Sequence, residues 1–123
     1  MHPLSAIDID PGSPVPPFEQ LRTRIAAMAA SGQLPAGTRL ATVRQLATDL
    51  GLATNTVARA YRELEADGVV ATEGRRGTFV SSGVAIPQAG ELHRLATAYV
   101  VAARRAGLSC PEATLLVERE WGG

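Results

Sequence analysis

The stretch 51-GLATNTVARAYRELEADG-68 decides the fold that this sequence predicts. A glycine and a short turn lead into a segment whose apolar side chains recur at the i, i+3, i+4, i+7 spacing of a buried helix face. Those side chains are Val57, Ala60, Tyr61 and Leu64. The first turn of the same helix carries small polar residues at 54–56, with arginines at 59 and 62 behind them. A surface helix with such a start is typical of nucleic-acid recognition.

A second helix precedes this one at close distance. Thr42 and Gln45 have the spacing of a capping box, in which the hydroxyl and the amide each bind a free backbone N–H. Gly51 ends this helix, and only about three residues separate it from the next, which forces a sharp corner. An earlier helix begins near Pro17 and ends near Gly32. These features predict a helix-turn-helix.

Two short apolar stretches follow, 69-VVAT-72 and 77-GTFVS-81, around the tip 73-EGRRG-77. They predict a β-hairpin with a glycine-rich tip, and a hairpin after a helix-turn-helix predicts a winged helix. Near the N-terminus, the alternation in 7-IDID-10 is compatible with a short edge strand. The fold class is therefore mainly α with a small β-hairpin.

The predicted organisation has four parts. Residues 1–16 form an N-terminal segment with a candidate strand, 17–83 the winged helix-turn-helix, 84–90 a linker and 91–123 a helical tail. The tail has two amphipathic helices, too short to form a sensor domain of ordinary size. Pairing with a second subunit would bury their apolar faces, although packing on their own domain is the alternative. The candidate interface residues are Leu92, Leu95, Tyr99, Leu115, Leu116 and Trp121.

Composition limits the other classes of function. The formal net charge is zero, all twelve basic residues are arginine, and residues 17–83 hold eight arginines against six acids. The zero net charge therefore counts against a large nonspecific polyanion binder, but it does not exclude a local positive patch. No apolar run approaches a membrane span, the N-terminus has no signal-peptide pattern, and Cys110 is the only cysteine, so a cytoplasmic protein is expected. We expect no enzyme, cofactor or metal site, because no catalytic set stands out and His2 and His93 are far apart.

Several separated motifs resemble the DNA-binding domain of GntR-family bacterial transcription regulators. The matching segments are 16-PPFEQLRTRI-25, 34-LPAGTRL-40, 42-TVRQLA-47, 55-NTVARAYRELE-65 and 74-GRRGTFV-80. The short tail is most similar to the YtrA-like branch. The resemblance implies a recognition helix in the major groove, a wing tip at the adjacent minor groove, and a regulator that is more often a repressor.

The candidate DNA-binding residues come from three places in this pattern. Position by position, the resemblance gives Arg44 on the second helix, the start of the third helix at 54–56 and the wing tip. Asn can pair with adenine, and arginines can enter a narrow minor groove; Arg59 is a candidate phosphate contact or a surface ion pair with Glu63. Ala53 lies where the family prefers a capping residue, which costs about 1 kcal/mol unless Thr54 takes that role. The full set is Thr42, Arg44, Thr54, Asn55, Thr56, Arg59, Arg75, Arg76, Gly77 and Thr78.

The sequence thus predicts a homodimeric regulator that binds double-stranded DNA at a two-fold symmetric operator. One alternative is a winged-helix protein-interaction module without DNA binding. Another is the N-terminal piece of an aminotransferase-like fusion enzyme, for which the chain ends too soon. Nothing in the sequence indicates a small-molecule effector.

Overall fold

The computed structural model describes residues 2–81 and 89–122. Its chain divides into two compact units, Met1–Val84 and Ala85–Gly123. The predicted linker at 84–90 lies outside the described residues up to position 88, and the last two of its residues already belong to a helix.

The first unit contains three helices and a hairpin in the order that the sequence predicts. Helix α1 is Pro17–Ser31, α2 is Val43–Leu50 and α3 is Thr54–Ala66. Strands β1, Val70–Thr72, and β2, Thr78–Val80, pair antiparallel. The prediction of a mainly helical winged helix-turn-helix is confirmed.

Helix α3 lies at the centre of this unit and packs on α1, α2 and β1. Its predicted apolar face is buried, and Val57 and Leu64 are completely inaccessible to solvent. Leu21 and Ile25 of α1 and Leu46 of α2 meet that face in the same core. The i, i+3, i+4, i+7 pattern therefore fixes which side of α3 faces inward and which remains at the surface.

The corner between α2 and α3 has a tight geometry. Gly51 adopts φ 68°, a left-handed conformation that favours glycine. The Leu52 N–H donates to the Ala47 carbonyl at 2.9 Å, which closes the turn. On the other side of the core, the buried Tyr61 hydroxyl donates to the Ala41 carbonyl at 2.6 Å and ties α3 to the start of α2. Burial raises the pKa of Tyr61.

The hairpin is extended by a third stretch of chain, residues 38–40, which pairs with β2. The Leu40 N–H donates to the Thr78 carbonyl at 2.8 Å, and the Val80 N–H donates to the Thr38 carbonyl at 2.8 Å. These bonds place Arg39 opposite Phe79 in an antiparallel bridge. The wing is thus attached to the segment that leads into α2.

The edge strand proposed for residues 7–10 is wrong, because these residues form no strand in the structure. Their alternation instead serves packing: Ile7 is buried and Ile9 packs against the core. The backbone N–H of Asp10 donates to the Gln20 side chain at 2.9 Å and not to another strand. Ahead of them, a 3-10 turn at Pro3–Ala6 buries Leu4 completely.

The second unit consists of two helices, α4, Ala89–Arg105, and α5, Cys110–Gly122. A capping box forms at its turn: the Glu112 N–H donates to the Ser109 hydroxyl at 3.3 Å, and the Ser109 N–H donates to the Glu112 carboxylate at 2.9 Å. The Ser109 backbone N–H, and after it the Ser109 hydroxyl, lower the pKa of Glu112 by stabilising its carboxylate. The Tyr99 hydroxyl donates to the Ala113 carbonyl at 2.6 Å and joins the two helices.

Candidate nucleic-acid interface

The start of α3 is exposed and has no side-chain cap. Ala53 occupies the N-cap position and Thr54 is the first helical residue, so Thr54 does not take the capping role. Thr54 and Asn55 are exposed, and Thr56 is half-buried. The first N–H groups of a helix carry a partial positive charge and lack partners within the helix. An uncapped start therefore leaves donors that suit a phosphate oxygen.

Helix α2 begins after its N-cap, Thr42, and carries Arg44 in its first turn. The Thr42 hydroxyl accepts the Gln45 N–H at 3.1 Å, which confirms the predicted cap. The reciprocal half of the capping box is wrong: the Gln45 amide donates instead to the Asp49 carboxylate at 2.7 Å, one turn along the helix. A charged acceptor makes the stronger hydrogen bond, so the amide turns towards it. Arg44 is exposed in the first turn.

The wing tip is held by its own backbone. Residues Gly74–Arg76 form a 3-10 turn, and the Glu73 N–H donates to the Gly77 carbonyl at 2.8 Å. Arg75 and Arg76 are exposed at this tip. The Thr78 hydroxyl lies 3.3 Å from that of Thr72 across the hairpin, so this candidate contact already has a partner within the wing.

The arginines of the first unit fall into two groups. Arg22 binds Glu19 at 2.5 Å and approaches Asp67 at 3.8 Å, and its hydrogen bond with Glu19 raises the pKa of its guanidinium. Six others have no carboxylate oxygen within the 4.0 Å limit of an ion pair in the described part of the chain. Those six are Arg24, Arg39, Arg44, Arg62, Arg75 and Arg76. A chain of zero net charge therefore keeps unpaired positive charge at the start of α2 and at the wing.

Arg59 is the candidate that the structure directs elsewhere. Its guanidinium carbon lies 3.7 Å from the centre of the Phe18 ring on α1, a cation–π contact. Its Nε is 3.8 Å from the Glu63 carboxylate. Arg59 remains 57% exposed, so these contacts draw its head group towards α1 without burying it.

Arg39 is the residue that the sequence interpretation missed. Its side chain reaches back over Gly77, so that an ideal Cβ built on Gly77 would lie 2.9 Å from the Arg39 Nε. No local pattern in the sequence predicts this contact, because positions 39 and 77 meet only through the pairing of residues 38–40 with β2.

The second unit presents an extensive apolar surface. Leu92, Leu95, Leu115 and Leu116 are 42–57% exposed and Trp121 is 72% exposed. Tyr99 differs from these candidates, since it is half-buried and binds Ala113 within its own unit. The candidate interface residues did not include Val100, Val101 and Val117, which are also exposed. A groove of about 530 Å³ between α4 and α5 is lined mainly by apolar side chains.

Comparison with known proteins identifies the first unit. Residues 17–80 match the family model described as "Bacterial regulatory proteins, gntR family". The chain belongs to the GntR family. It is therefore a transcription regulator with a GntR-type DNA-binding domain.

Individual GntR relatives agree with this result. The HTH-type transcriptional regulator Rv1152 of Mycobacterium tuberculosis is 48% identical over 107 residues, which are 87% of this chain and 85% of that protein. The HTH-type transcriptional repressor YtrA of Bacillus subtilis is 40% identical over 75 residues, 61% of this chain and 58% of that protein. Among solved structures, YtrA from Sulfolobus acidocaldarius, a GntR-family transcription factor, has 26% identity and a TM-score of 0.58 and covers 92% of this chain and 94% of that one. The predicted resemblance to YtrA-like regulators is confirmed.

The described residues lack two further features, a helix that could span a membrane and a cluster of metal ligands. None of the helices there is both long enough and apolar enough to cross a membrane. Within residues 2–81 and 89–122, no three or more His, Cys, Asp or Glu side chains are grouped so that they could hold a metal ion.

Proposed function

We propose that this chain is a homodimeric repressor that binds a two-fold symmetric DNA operator. The observation that carries the proposal is the exposed, uncapped start of α3; arginines without an ion pair in the described residues, at the start of α2 and at the wing, support it. Because the chain has no net charge, these unpaired guanidinium groups favour binding of a polyanion at this patch over nonspecific binding across the whole surface. The repressor role follows from similarity to a protein that is named a repressor.

The contacts divide into two kinds. Arg44 and the free N–H groups at the start of α3 bind phosphates and position the domain, because these groups donate without regard to sequence. Asn55, exposed on the first turn of α3, reads a base edge in the major groove. Arg75 and Arg76 enter the adjacent minor groove, where the potential is most negative if the groove is narrow.

Dimerisation through the second unit supports the two-fold symmetry of the operator. Eight large hydrophobic side chains on α4 and α5 are exposed: Leu92, Leu95, Val100, Val101, Leu115, Leu116, Val117 and Trp121. A surface of this kind is larger than single scattered apolar residues and indicates a protein interface. A second copy presents the same surface and buries it by symmetry. The half-sites would then lie about 10 bp apart or at a multiple of that spacing.

Selection of bound duplexes from a random pool tests the whole proposal. We expect an inverted repeat, and enrichment of an asymmetric site or of no sequence would contradict it. In titrations on the selected duplex, Arg44→Ala should reduce the slope of log K against log salt by about 0.9, the value for one phosphate contact. Arg24→Ala is the matched control, since Arg24 is exposed on α1 beside the N-terminal segment and lies outside the proposed surface. Equal slopes for the Arg44 and Arg24 variants would remove Arg44 from the contacts.

A further inference from the structure

The strongest unassigned feature is the position of Arg39 against the wing. Residues 38–40 pair with β2 through two hydrogen bonds of 2.8 Å, so the Arg39 backbone is part of the wing sheet. Arg39 and Phe79 face each other in the bridge, and side chains of opposed residues project on the same side of an antiparallel pair. The Arg39 side chain therefore starts from a fixed backbone position and extends from the wing.

Gly77 provides the space for the guanidinium of Arg39. An ideal Cβ at position 77 would lie 2.9 Å from Nε, 3.4 Å from Nη2 and 3.5 Å from Cζ of Arg39. A larger residue would push the guanidinium aside, a shift that costs little because the guanidinium is the end of a flexible side chain. Gly77 also adopts φ 108°, which side-chain-bearing residues rarely adopt. The backbone conformation thus favours glycine at this position, and the missing side chain leaves room for the guanidinium.

The charge at this end of the hairpin is unbalanced. Arg75 and Arg76 immediately precede Gly77, so the three guanidinium groups belong to the same end of the wing. None of the three has a carboxylate within ion-pair distance among the residues that the structure describes. Glu73 at the same tip balances only one of these three positive charges, and a polyanion stabilises the excess that remains.

We propose that Arg39 is a third DNA-binding residue of the wing, which binds a backbone phosphate beside the minor groove that Arg75 and Arg76 enter, and that Gly77 leaves room for its guanidinium. This assignment rests on the proposed DNA-binding function and extends it to a residue outside the predicted site. A phosphate is the expected partner, because the Arg39 backbone lies beside β2 and the side chain reaches the tip only from that side. The contact therefore contributes affinity without sequence preference.

The first test compares Arg39→Ala with the wild-type chain and with Arg24→Ala on the selected duplex and on a random duplex. Between 50 and 200 mM salt, one phosphate contact accounts for about a 3.5-fold loss of affinity, from a slope of about 0.9 per phosphate. We expect that loss to be about 3.5-fold smaller in Arg39→Ala, equally on both duplexes, whereas Arg39→Lys retains the wild-type salt dependence. Thermal unfolding should be unchanged, because Arg39 is exposed.

The outcomes of this test distinguish failure of the Arg39 contact from failure of the proposed DNA-binding function. If the wild-type chain binds with normal salt dependence and Arg39→Ala behaves like it, Arg39 is not a contact and the proposed function stands. A loss confined to the selected duplex would replace the phosphate with a base edge and overturn the assignment. An equal effect of Arg24→Ala would reduce it to a general charge effect. If the wild-type chain binds neither duplex, the proposed function and this inference both fail.

A double-mutant cycle tests the role of Gly77. Gly77→Ala strains the backbone whether or not Arg39 is present, so that effect cancels when Arg39→Ala is compared in the two backgrounds. We expect Arg39→Ala to weaken duplex binding in the wild-type background and to have little further effect in the Gly77→Ala background, where the guanidinium is already displaced. Equal losses in both backgrounds would show that Gly77 does not seat Arg39.

Discussion

Removal of the Tyr61 hydroxyl should reduce the free energy of unfolding of the first unit, because the hydroxyl makes a buried hydrogen bond. The hydroxyl donates to the Ala41 carbonyl at 2.6 Å in the core, and Tyr61 is only 7% exposed. Tyr61→Phe keeps the ring and removes this bond, which is worth about 0.5–1.5 kcal/mol, and it leaves a carbonyl in the interior without its partner. We expect a loss of about 1–2 kcal/mol, equivalent to roughly 5–10 °C in Tm for a domain of this size.

The difference in stability between the wild-type chain and Tyr61→Phe should also depend on pH. Burial raises the pKa of Tyr61, so the folded chain keeps a proton that the unfolded chain loses above its ordinary pKa of about 10. The contribution of Tyr61 is therefore fully present below pH 10 and declines as the pH rises further, by up to about 1.4 kcal/mol per pH unit. Tyr61→Phe has no such proton, so the gap in stability between wild type and variant should close near pH 11.

Urea unfolding followed by circular dichroism at fixed protein concentration, at pH 7 and in steps to pH 11, measures both effects. The matched control is Tyr99→Phe, because the Tyr99 hydroxyl makes a bond of the same length, 2.6 Å, to the Ala113 carbonyl in the other unit. Tyr99 is half-buried, and its loss should cost less and leave the unfolding of the first unit unchanged. A gap below about 0.5 kcal/mol at pH 7, or one that stays constant to pH 11, would refute the reasoning.

Three further substitutions test separate features. Ala53→Ser supplies the missing cap of α3 and should stabilise the first unit by about 1 kcal/mol in urea unfolding, and no gain would mean that the free N–H groups are already satisfied. Asn55→Ala should relax base preference in a titration of operator variants, with about 1–3 kcal/mol less discrimination at one base pair; a uniform loss on all duplexes would assign Asn55 to the backbone. Leu95→Glu places a charge on the apolar face of α4 and should shift sedimentation towards the monomer. Thr97→Glu, on the same helix, is the control and should leave the dimer intact. If Leu95→Glu also sediments as an unchanged dimer, the interface lies elsewhere.

Much of the architecture could be predicted from local patterns in the sequence. The spacing of Val57, Tyr61 and Leu64 determines the buried face of α3, and Gly51 determines the corner before it, because helical periodicity and left-handed backbone are properties of adjacent residues. Thr42 was recognised as a cap for the same reason. The position of the hairpin followed from its glycines and its alternating strands.

The tertiary structure decided what depends on residues distant in sequence. The alternation at 7–10 is as regular as that of a strand, yet these residues form no strand, and Ile7 and Ile9 pack on the core. The Gln45 amide fitted a capping box, but the Asp49 carboxylate binds it instead. Arg39 reaches Gly77 only because residues 38–40 join β2, a pairing across almost 40 positions that carries no local signal. Periodicity determined the elements and the ion pairs within helices, Arg22 with Glu19 and Arg59 with Glu63, whereas contacts between elements brought the Arg39 side chain to the wing.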